Sequence, residues 1–421
     1  MSRTFNVILL SLFLAACFIT TSKAQSEISS PYSSFGVGVL TNTANGTMAS
    51  MGGVSYAMQS NLFINYKNPA SYVAFDSLSF LGDVSFSLIS NTLTTSQLTQ
   101  GSSTARFNYL MLGLPVTRHW RTSAGILPFS DIGYKIQDVQ GDRNYSYNGD
   151  GGLMQLYWGN AFKICKGLSI GINMSYLFGS LNNLRYIEIT GDNFLNTRIA
   201  QSTFIDGIYF SGGIQYFTTI KEKHRLGFGL VYENSAYIWA KENLFINNYT
   251  GVYNSNNIYD TVLYKEGEKG RLIIPQSIGF GITYSNSNKI LVGADVTWQN
   301  WSKYRLMGRN DSLQNAFVAA VGLQYTPNPL SSKYINRMHF RVGGRFSTGY
   351  LHLNNTDIRE FAVSLGVGFP LRTFTTQSTI NLMLEYGQTG TILNELIRQN
   401  YFKLTLNFIL HEKWYQRVRL E

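Results

Sequence analysis

The sequence is poor in charge and in cysteine, and it lacks long apolar runs. Only 14% of its 421 residues are Asp, Glu, Lys or Arg, which is low for the surface of a soluble protein. Beyond the N-terminus no window reaches ~18 consecutive apolar residues, which excludes a helical membrane protein. Cys17 and Cys165 are the two cysteines, and a mature chain that begins after Cys17 cannot form an intramolecular disulfide.

Motifs for nucleic acid, metal or cofactor binding are also missing. The formal net charge is +10, but no run of Lys and Arg concentrates it, so we predict no nucleic-acid partner. The pair Gly36 and Gly38 lacks the third glycine of a nucleotide loop, and no cofactor is predicted. The histidines show no metal-ligand spacing, so no metal is predicted either; they are His119, His224, His339, His352 and His411.

The N-terminus has the pattern of a secretory signal peptide. Arg3 supplies the positive region, residues 7–19 form the apolar core, and Ser22-Lys23-Ala24 is a small-residue cleavage site. We therefore predict a signal peptide over 1–24 and an exported mature protein. Cys17 after Leu14-Ala15-Ala16 also fits a lipoprotein signal, although the apolar run continues past it, and lipidation at Cys17 stays open.

Alternation between apolar and polar residues dominates the remaining chain. Between Asn400 and Leu410 the even positions are apolar and most of the odd ones are polar. Successive side chains of a strand point to opposite faces, so a period of two places one face against an apolar medium and the other against water. The same pattern recurs upstream, for example over 361–369 and 380–386.

About fourteen strand candidates follow one another between residues 78 and 411, an even number typical of bacterial outer-membrane barrels. They include a third strand near 121–136 and a ninth near 289–306. Short turns alternate with longer connections such as 241–270, and short turns belong in the periplasm. We predict an all-β fold: a transmembrane antiparallel barrel over 77–421. A soluble β-sandwich is the alternative, but strands this long with one fully polar face are unusual in sandwiches.

The segment 25–76 lacks the strand repeat. It contains a run of small residues over 49–57, followed by Asn68-Pro69-Ala70 just before the first strand candidate. The run and this signature resemble the N-terminal hatch of the FadL/TodX-type (OMPP1-like) outer-membrane transport proteins. A second region of resemblance to this family consists of residues 275–281 and the stretch from Asp295 to Tyr304. The resemblance implies a fourteen-stranded barrel with 25–76 folded into its lumen as a hatch, or plug.

The resemblance also implies a function. The protein is expected in the outer membrane of a Gram-negative bacterium, as a passive channel for hydrophobic small molecules such as long-chain fatty acids or hydrocarbons, in contact with outer-membrane lipid. Residues 30–33 and 408–419 are similar to barrels of Bacteroidetes-type bacteria, where relatives of this fold serve as adaptors. A barrel adaptor with a partner in protein secretion or surface attachment is therefore the alternative function.

Pro128 interrupts the third strand candidate. Proline removes a ladder donor, so a kink or bulge is predicted there. In the resembled family this strand carries an inward kink that opens the wall toward the membrane. We therefore predict a lateral gate at Pro128, Phe129 and Ser130, with a bulge of no role as the alternative. Asn68-Pro69-Ala70 is expected to lie against this strand and hold it.

Several charged residues face the lumen by parity. A basic lumen would suit a carboxylate head group through charge-assisted hydrogen bonds, although charges that only solvate the interior are an equal alternative. The candidate head-group contacts are Arg106, Lys303, Arg305, Arg341 and Arg345.

The run Gly167-Leu168-Ser169-Ile170-Gly171 satisfies the G-x-S-x-G pattern of hydrolases. It opens a strand candidate after a tight turn and no helical pattern follows, so the strand-turn-helix context of a nucleophile elbow is missing. We predict that the protein is not an enzyme. A phospholipase with Ser169 as nucleophile remains a third, weaker alternative.

Overall fold

The structure is a computed structural model that describes residues 30–413, except 42–43, 192–193, 222, 252, 254–256, 288 and 373–376. The predicted signal peptide and Cys17 lie outside the described residues. No helix in the part of the chain that is described is long and apolar enough to span a bilayer. The helical elements are α1 (Gly46–Ala49) and short 3-10 turns, of which Pro69–Ala74 is the longest.

The chain forms a closed antiparallel barrel of 14 strands. The wall is closed by the pairing of its first and last strands, with Val84 opposite Phe408. Two wall strands are each interrupted once, so that β8 continues into β9 and β10 into β11. The strands are β1 (Val39–Leu40), β2 (Ser79–Thr94), β3 (Thr99–Pro115), β4 (Trp120–Gln140), β5 (Arg143–Cys165), β6 (Leu168–Ile189), β7 (Asn196–Ile220), β8 (His224–Glu233), β9 (Ala236–Tyr249), β10 (Ile258–Ile274), β11 (Ser277–Asn286), β12 (Ile290–Gln299), β13 (Arg305–Leu306), β14 (Ala316–Tyr325), β15 (His339–Ser347), β16 (His352–Leu353), β17 (Thr356–Asp357), β18 (Glu360–Arg372), β19 (Gln377–Thr389) and β20 (Arg398–Lys413).

The predicted alternation is confirmed on the wall. On β20, Phe402 is 65% exposed while Asn407 and Ile409 are buried. On β19, Leu384 is exposed and its neighbour Glu385 is buried. Apolar side chains therefore cover the outside of the barrel, which is the arrangement that a lipid environment requires. The inner face of the wall carries both polar side chains and apolar ones that are buried inside the barrel.

The two ends of the barrel differ. β2 begins and β20 ends at the same end as the short turns, such as residues 116–119 and 166–167. We call it the periplasmic end by the rule for bacterial barrels, and the opposite end extracellular. At the extracellular end, the connection predicted over 241–270 is mostly strand, because β9 and β10 continue and pair with each other. The ninth strand candidate is also shorter than predicted: β12 ends at Gln299.

The N-terminal segment, residues 30–76, contacts the inner face of strands on all sides of the barrel. Asn45 donates to Asp83 on β2, Gly52 to Ser364 on β18, and Tyr56 to Asp295 on β12. Its apolar side chains form a buried cluster with residues of β2 to β5, which includes Met48, Met51, Ile64, Tyr72, Phe75, Tyr109, Met111 and Tyr157. The core of the molecule therefore lies inside the ring of strands.

Candidate functional site: a wall gap beside an interior cavity

Pro128 produces an irregularity in the wall. A register shift separates Pro128 and Ser130 in the pairing of β4 with β5, so the predicted bulge is present. On its other side, β4 pairs with β3 only as far as Ile126, opposite Leu110. Residues 99–109 of β3 and 127–140 of β4 therefore have no ladder between them. We call this opening the wall gap.

A short strand of the N-terminal segment lies along the β4 edge of the wall gap. β1 pairs antiparallel with β4, with Val39 opposite Asp131 and Leu40 opposite Ser130. The amide of Thr41 donates to the carbonyl of Phe129 at 3.0 Å. β1 thereby satisfies backbone groups that β4 would otherwise present unpaired.

Gly38 allows this close approach. Its φ is +95°, in the region that favours glycine. A Cβ at this position would overlap the carbonyl oxygen of Asp131. Across the wall gap, Arg106 of β3 forms an ion pair with Asp131, so the two strand edges are joined by side chains where they are not joined by backbone.

A cavity of about 120 Å³ lies immediately inside the wall gap. It is bounded by the bulge on one side and by the interruptions of β8/β9 and β10/β11 on the other. Its lining mixes aromatic and aliphatic side chains with polar groups: Leu40, Thr41, Tyr66, Lys67, Pro128, Phe129, Gln155, Tyr209, Glu233, Asn234, Ile274, Pro275, Ser277, Gln299 and Trp301. Ligand sites combine apolar walls with a small number of placed polar groups, and this cavity has both kinds of side chain, with the polar ones in the majority.

Lys67 is the cation that lines the cavity. Among the described residues its ammonium group has no hydrogen-bond or ion-pair partner. Burial lowers the pKa of Lys67, and the nearby carboxylate of Glu233 partly opposes this effect. Glu233 itself accepts a hydrogen bond from the hydroxyl of Ser277 at 2.5 Å. The cavity therefore presents an amino group that no described residue engages by a hydrogen bond or an ion pair.

The structure places the predicted head-group contacts elsewhere. Arg345 is ion-paired with Glu360 and Glu385, and Arg106 with Asp131. Arg341 donates to Gln324 and Asn381. Arg305 donates to backbone carbonyls, and Lys303 is exposed. The chain leaves the wall after Gln299, so the alternation of a strand no longer predicts which way these two side chains point. None of the five lines the cavity.

The Asn68-Pro69-Ala70 signature begins a 3-10 turn at the periplasmic side of the lumen. Asn68 caps this turn by accepting from the amide of Ala70 at 3.1 Å. Its side-chain amide donates to the carbonyls of Tyr56 and of Ile214 on β7. Asn68 therefore links the N-terminal segment to the backbone of β7.

The contact expected between the signature and the third wall strand, β4, is a minor one. The turn packs mainly against β5, β6 and β7. Glycines explain this choice: Gly171 on β6 and Gly213 on β7 leave the space that Pro69 and Asn68 occupy, and a Cβ at either glycine would overlap them.

Ser169 of the G-x-S-x-G run lies within β6 and faces the interior, fully in extended structure. It pairs in register with Lys163 and Gln215, so the sharp strand-to-helix turn of a nucleophile elbow is replaced by a continuous ladder. Among the described residues no group of three or more His, Cys, Asp or Glu side chains is placed to hold a metal ion.

The comparisons with known proteins agree with this class of membrane barrel. The chain belongs to the BamG family, whose family model matches residues 1–421. No curated protein is matched by the sequence. The protein is an outer-membrane β-barrel of a Gram-negative bacterium.

Solved structures share its fold at low sequence identity. A FadL homologue of Pseudomonas aeruginosa has 12% identity and a TM-score of 0.58, over 90% of this chain and 100% of that chain. The toluene transporter TbuX of Ralstonia pickettii has 12% identity and a TM-score of 0.57, and TodX of Pseudomonas putida 14% and 0.56; both comparisons cover 88% of this chain and 98% of the other. The FadL/TodX-type architecture is therefore confirmed, and the Bacteroidetes-type origin stays a prediction.

Proposed function

We propose that this protein is a passive outer-membrane channel for small hydrophobic molecules. The observation that carries this proposal is the position of the cavity: it lies directly inside the one stretch of β3 and β4 where the wall ladder is missing. A molecule held there is separated from the membrane by β1 and by side chains. The solved barrels of the same fold include toluene transporters, which supports the same class of cargo here.

In this proposal the N-terminal segment is the hatch and β1 is its movable part. Cargo enters the lumen from the extracellular end, occupies the cavity and leaves sideways through the wall gap when β1 separates from β4. Pro128, Phe129 and Ser130 form the gate, because the bulge at these residues turns the strand edge toward the cavity. No energy source is required, since the cargo moves down its gradient into lipid.

The size of the cavity favours compact hydrocarbons. Its volume of about 120 Å³ is close to the ~150 Å³ of an engineered protein cavity that holds benzene. A long-chain fatty acid exceeds this volume and would need β1 displaced while it binds. Lys67 supplies a site for one polar or anionic group at the end of such a molecule.

Uptake in a deletion strain tests the proposal. Cells that carry the wild-type gene should accumulate labelled toluene faster than the deletion strain, and labelled oleate serves as the long-chain comparison. Ile274→Trp fills the cavity and should lower uptake to the deletion level. Ile278→Trp is the matched control, because Ile278 is on the outer face with 42% exposure. Wild-type uptake by Ile274→Trp, with normal barrel assembly, would overturn the proposal.

The adaptor function is a second candidate, and one observation favours it. The long periplasmic connection over 326–338 exposes Leu330 at 90% and Ile335 at 61%, and exposed apolar side chains outside the membrane suit a protein partner. Leu330→Asp with Ile335→Asp should then release a co-purifying protein. Val116→Asp, in another turn at this end, is the control. If wild type, the Leu330→Asp/Ile335→Asp variant and the Val116→Asp control co-purify with the same proteins in the same amounts, the adaptor function is excluded.

A further inference from the structure

Exposed cations surround the barrel at its periplasmic end. Every strand-to-strand connection described at this end carries at least one. They occupy five different turns, spread over most of the circumference. These residues are Arg118, Lys166, Lys221, Lys223, Lys289 and Lys333, and we call them the basic ring.

Carboxylates that could neutralise the basic ring are few. Among the described residues of this end they are Asp76 and Glu412, while Glu222 lies outside the described residues. No ion pair joins any member of the basic ring to a described residue. The extracellular end is different, because its charges of both signs are interspersed and form pairs such as Arg309 with Glu242 and Lys265 with Glu268. Among the described residues, the positive charge that no carboxylate balances is therefore greatest at the periplasmic end.

The basic ring lies where the apolar outer surface of the barrel ends. Next to its lysines, Phe162 and Ile164 point outward with 42% and 55% exposure, and Tyr216 and Ile220 with 47% and 46%. Trp120 stacks on Phe162 with ring centroids 6.2 Å apart. Aromatic side chains of this kind mark the boundary between hydrocarbon and head groups. The ammonium groups thus reach the level of the lipid head groups, because long side chains extend toward the interface.

We infer that the basic ring binds the head groups of anionic phospholipids in the periplasmic leaflet of the outer membrane. A leaflet surrounds the barrel on all sides, and the cations are spread over most of its circumference, whereas a protein partner would meet them on one side only. Juxtamembrane Lys and Arg residues are attracted to anionic lipid additively. Several lipids held in this way would anchor the barrel at a fixed depth.

Native mass spectrometry of the purified full-length mature protein tests this inference. Delipidated protein in neutral detergent is titrated with phosphatidylglycerol, with phosphatidylcholine and with inorganic phosphate. The test variant replaces Lys166, Lys221, Lys223 and Lys289 by Gln. The control variant makes four matched exposed changes to Gln at the extracellular end, at Lys135, Lys241, Lys265 and Lys269. Heat-modifiable migration verifies that each barrel is folded.

We expect wild-type protein and the control variant to retain several phosphatidylglycerol molecules, and the test variant to lose about tenfold or more in affinity. Lipid binding should weaken as the salt concentration rises. Inorganic phosphate should not compete, because a single phosphate ion is too small to contact cations on two different turns at once. Equal lipid binding by the test variant would overturn the inference. So would competition by phosphate, or a test variant that releases a periplasmic protein while keeping its lipid.

Discussion

Two parts of the N-terminal segment meet the barrel in different ways. Residues 44–75 pack against the strands of the wall, and many of the closest contacts are made at inward-facing glycines. Residues 30–41 meet the edge of β4 and the extracellular connections instead. Gly36 donates to Asp311, and Tyr350 donates to the carbonyl of Gly38, both in or beside those connections.

The difference predicts which part moves. The glycine contacts of the first part are steric and offer no alternative arrangement, because protein interiors are close-packed. The second part buries Tyr32 and Val37, but at the wall gap it is held by backbone hydrogen bonds that contribute on the order of 1 kcal/mol each. It also contacts connections of the kind that are usually the most mobile parts of a fold. Residues 44–75 should therefore stay fixed to the wall. Residues 30–41 should be able to detach from it, and we call them the releasable part.

The largest effect is expected from filling a glycine contact of the packed part. A Cβ at Gly343 would overlap the backbone of Met51 and Gly52, whereas its neighbour Gly344 has no atom nearer than 3.8 Å to that position. Gly343→Val should abolish the heat-modifiable barrel in outer-membrane fractions, because neither backbone can retreat. Gly344→Val should assemble. Equal assembly of the two variants would show that residues 44–75 are also movable.

Gly38→Val should open the releasable part without affecting the wall. The valine side chain would overlap Asp131 and is strained at a φ of +95°, so β1 should detach from β4. We expect normal barrel assembly together with increased permeability to toluene and to hydrophobic antibiotics, measured in whole cells. Gly141→Val is the control, since Gly141 has a φ of +63° and nothing within 4 Å. If the permeability of the Gly38→Val strain equals that of wild type, β1 has no gating role.

Asn68→Ala should lower stability more than transport. The substitution removes the cap on Ala70 and the bonds to Tyr56 and Ile214, which is expected to cost about 1–3 kcal/mol. Thermal loss of heat-modifiable migration should occur at lower temperature, while uptake per folded molecule stays near wild type. Asn61→Ala, at a partly buried position bonded to Asp76, is the comparison. If uptake per folded molecule falls while thermal stability stays near wild type, the signature acts in gating after all.

Binding of an anionic ligand should depend on pH through Lys67. Burial lowers its pKa, so the ammonium form, which attracts a carboxylate, is present at low pH and disappears as pH rises through that lowered value, below the ~10.4 of free lysine. Affinity for benzoate should therefore fall on the alkaline side, and affinity for toluene should not change. Lys67→Met should remove the dependence. Identical pH profiles for benzoate in both proteins would exclude Lys67 as the contact.

Much of the wall could be predicted from the sequence, because it follows local rules. A period of two fixes which residues of β19 and β20 face the lipid, and a proline without an amide hydrogen fixes the bulge at Pro128. The continuation of β9 and β10 into the predicted connection over 241–270 was not predictable in this way. Beyond the membrane a strand needs no apolar face, so the alternation that revealed the other strands is absent there.

The site was harder to predict because its contacts are distant in sequence. Lys67 stands next to the Asn68 signature, but only the folded chain brings it to Glu233 and Gln299. The strand β1 has two residues and is too short to show a periodic signal. The edge of β4 with which it pairs is available only because β3 and β4 separate in the folded barrel. The parity argument for Lys303 and Arg305 failed for a related reason: a 3-10 turn at Trp301–Lys303 ends the alternation.

The most direct test of the account is a reversible lock between β1 and β4. Leu40 and Ser130 are directly opposite, and such pairs are about 4.5–5.5 Å apart between Cα atoms, within the range of a disulfide. Leu40→Cys with Ser130→Cys, in a Cys165→Ser background, should assemble normally and form the bridge on oxidation. Val363→Cys with Tyr386→Cys places the same bridge between β18 and β19 as a control.

Toluene uptake through the oxidised β1–β4 lock should fall to the level of the deletion strain and recover when a reductant is added. The control bridge should leave uptake unchanged in both states. This result would establish that β1 must leave β4 for cargo to pass. Equal uptake by the oxidised and reduced lock would show that cargo takes another path, and that the wall gap is not the exit.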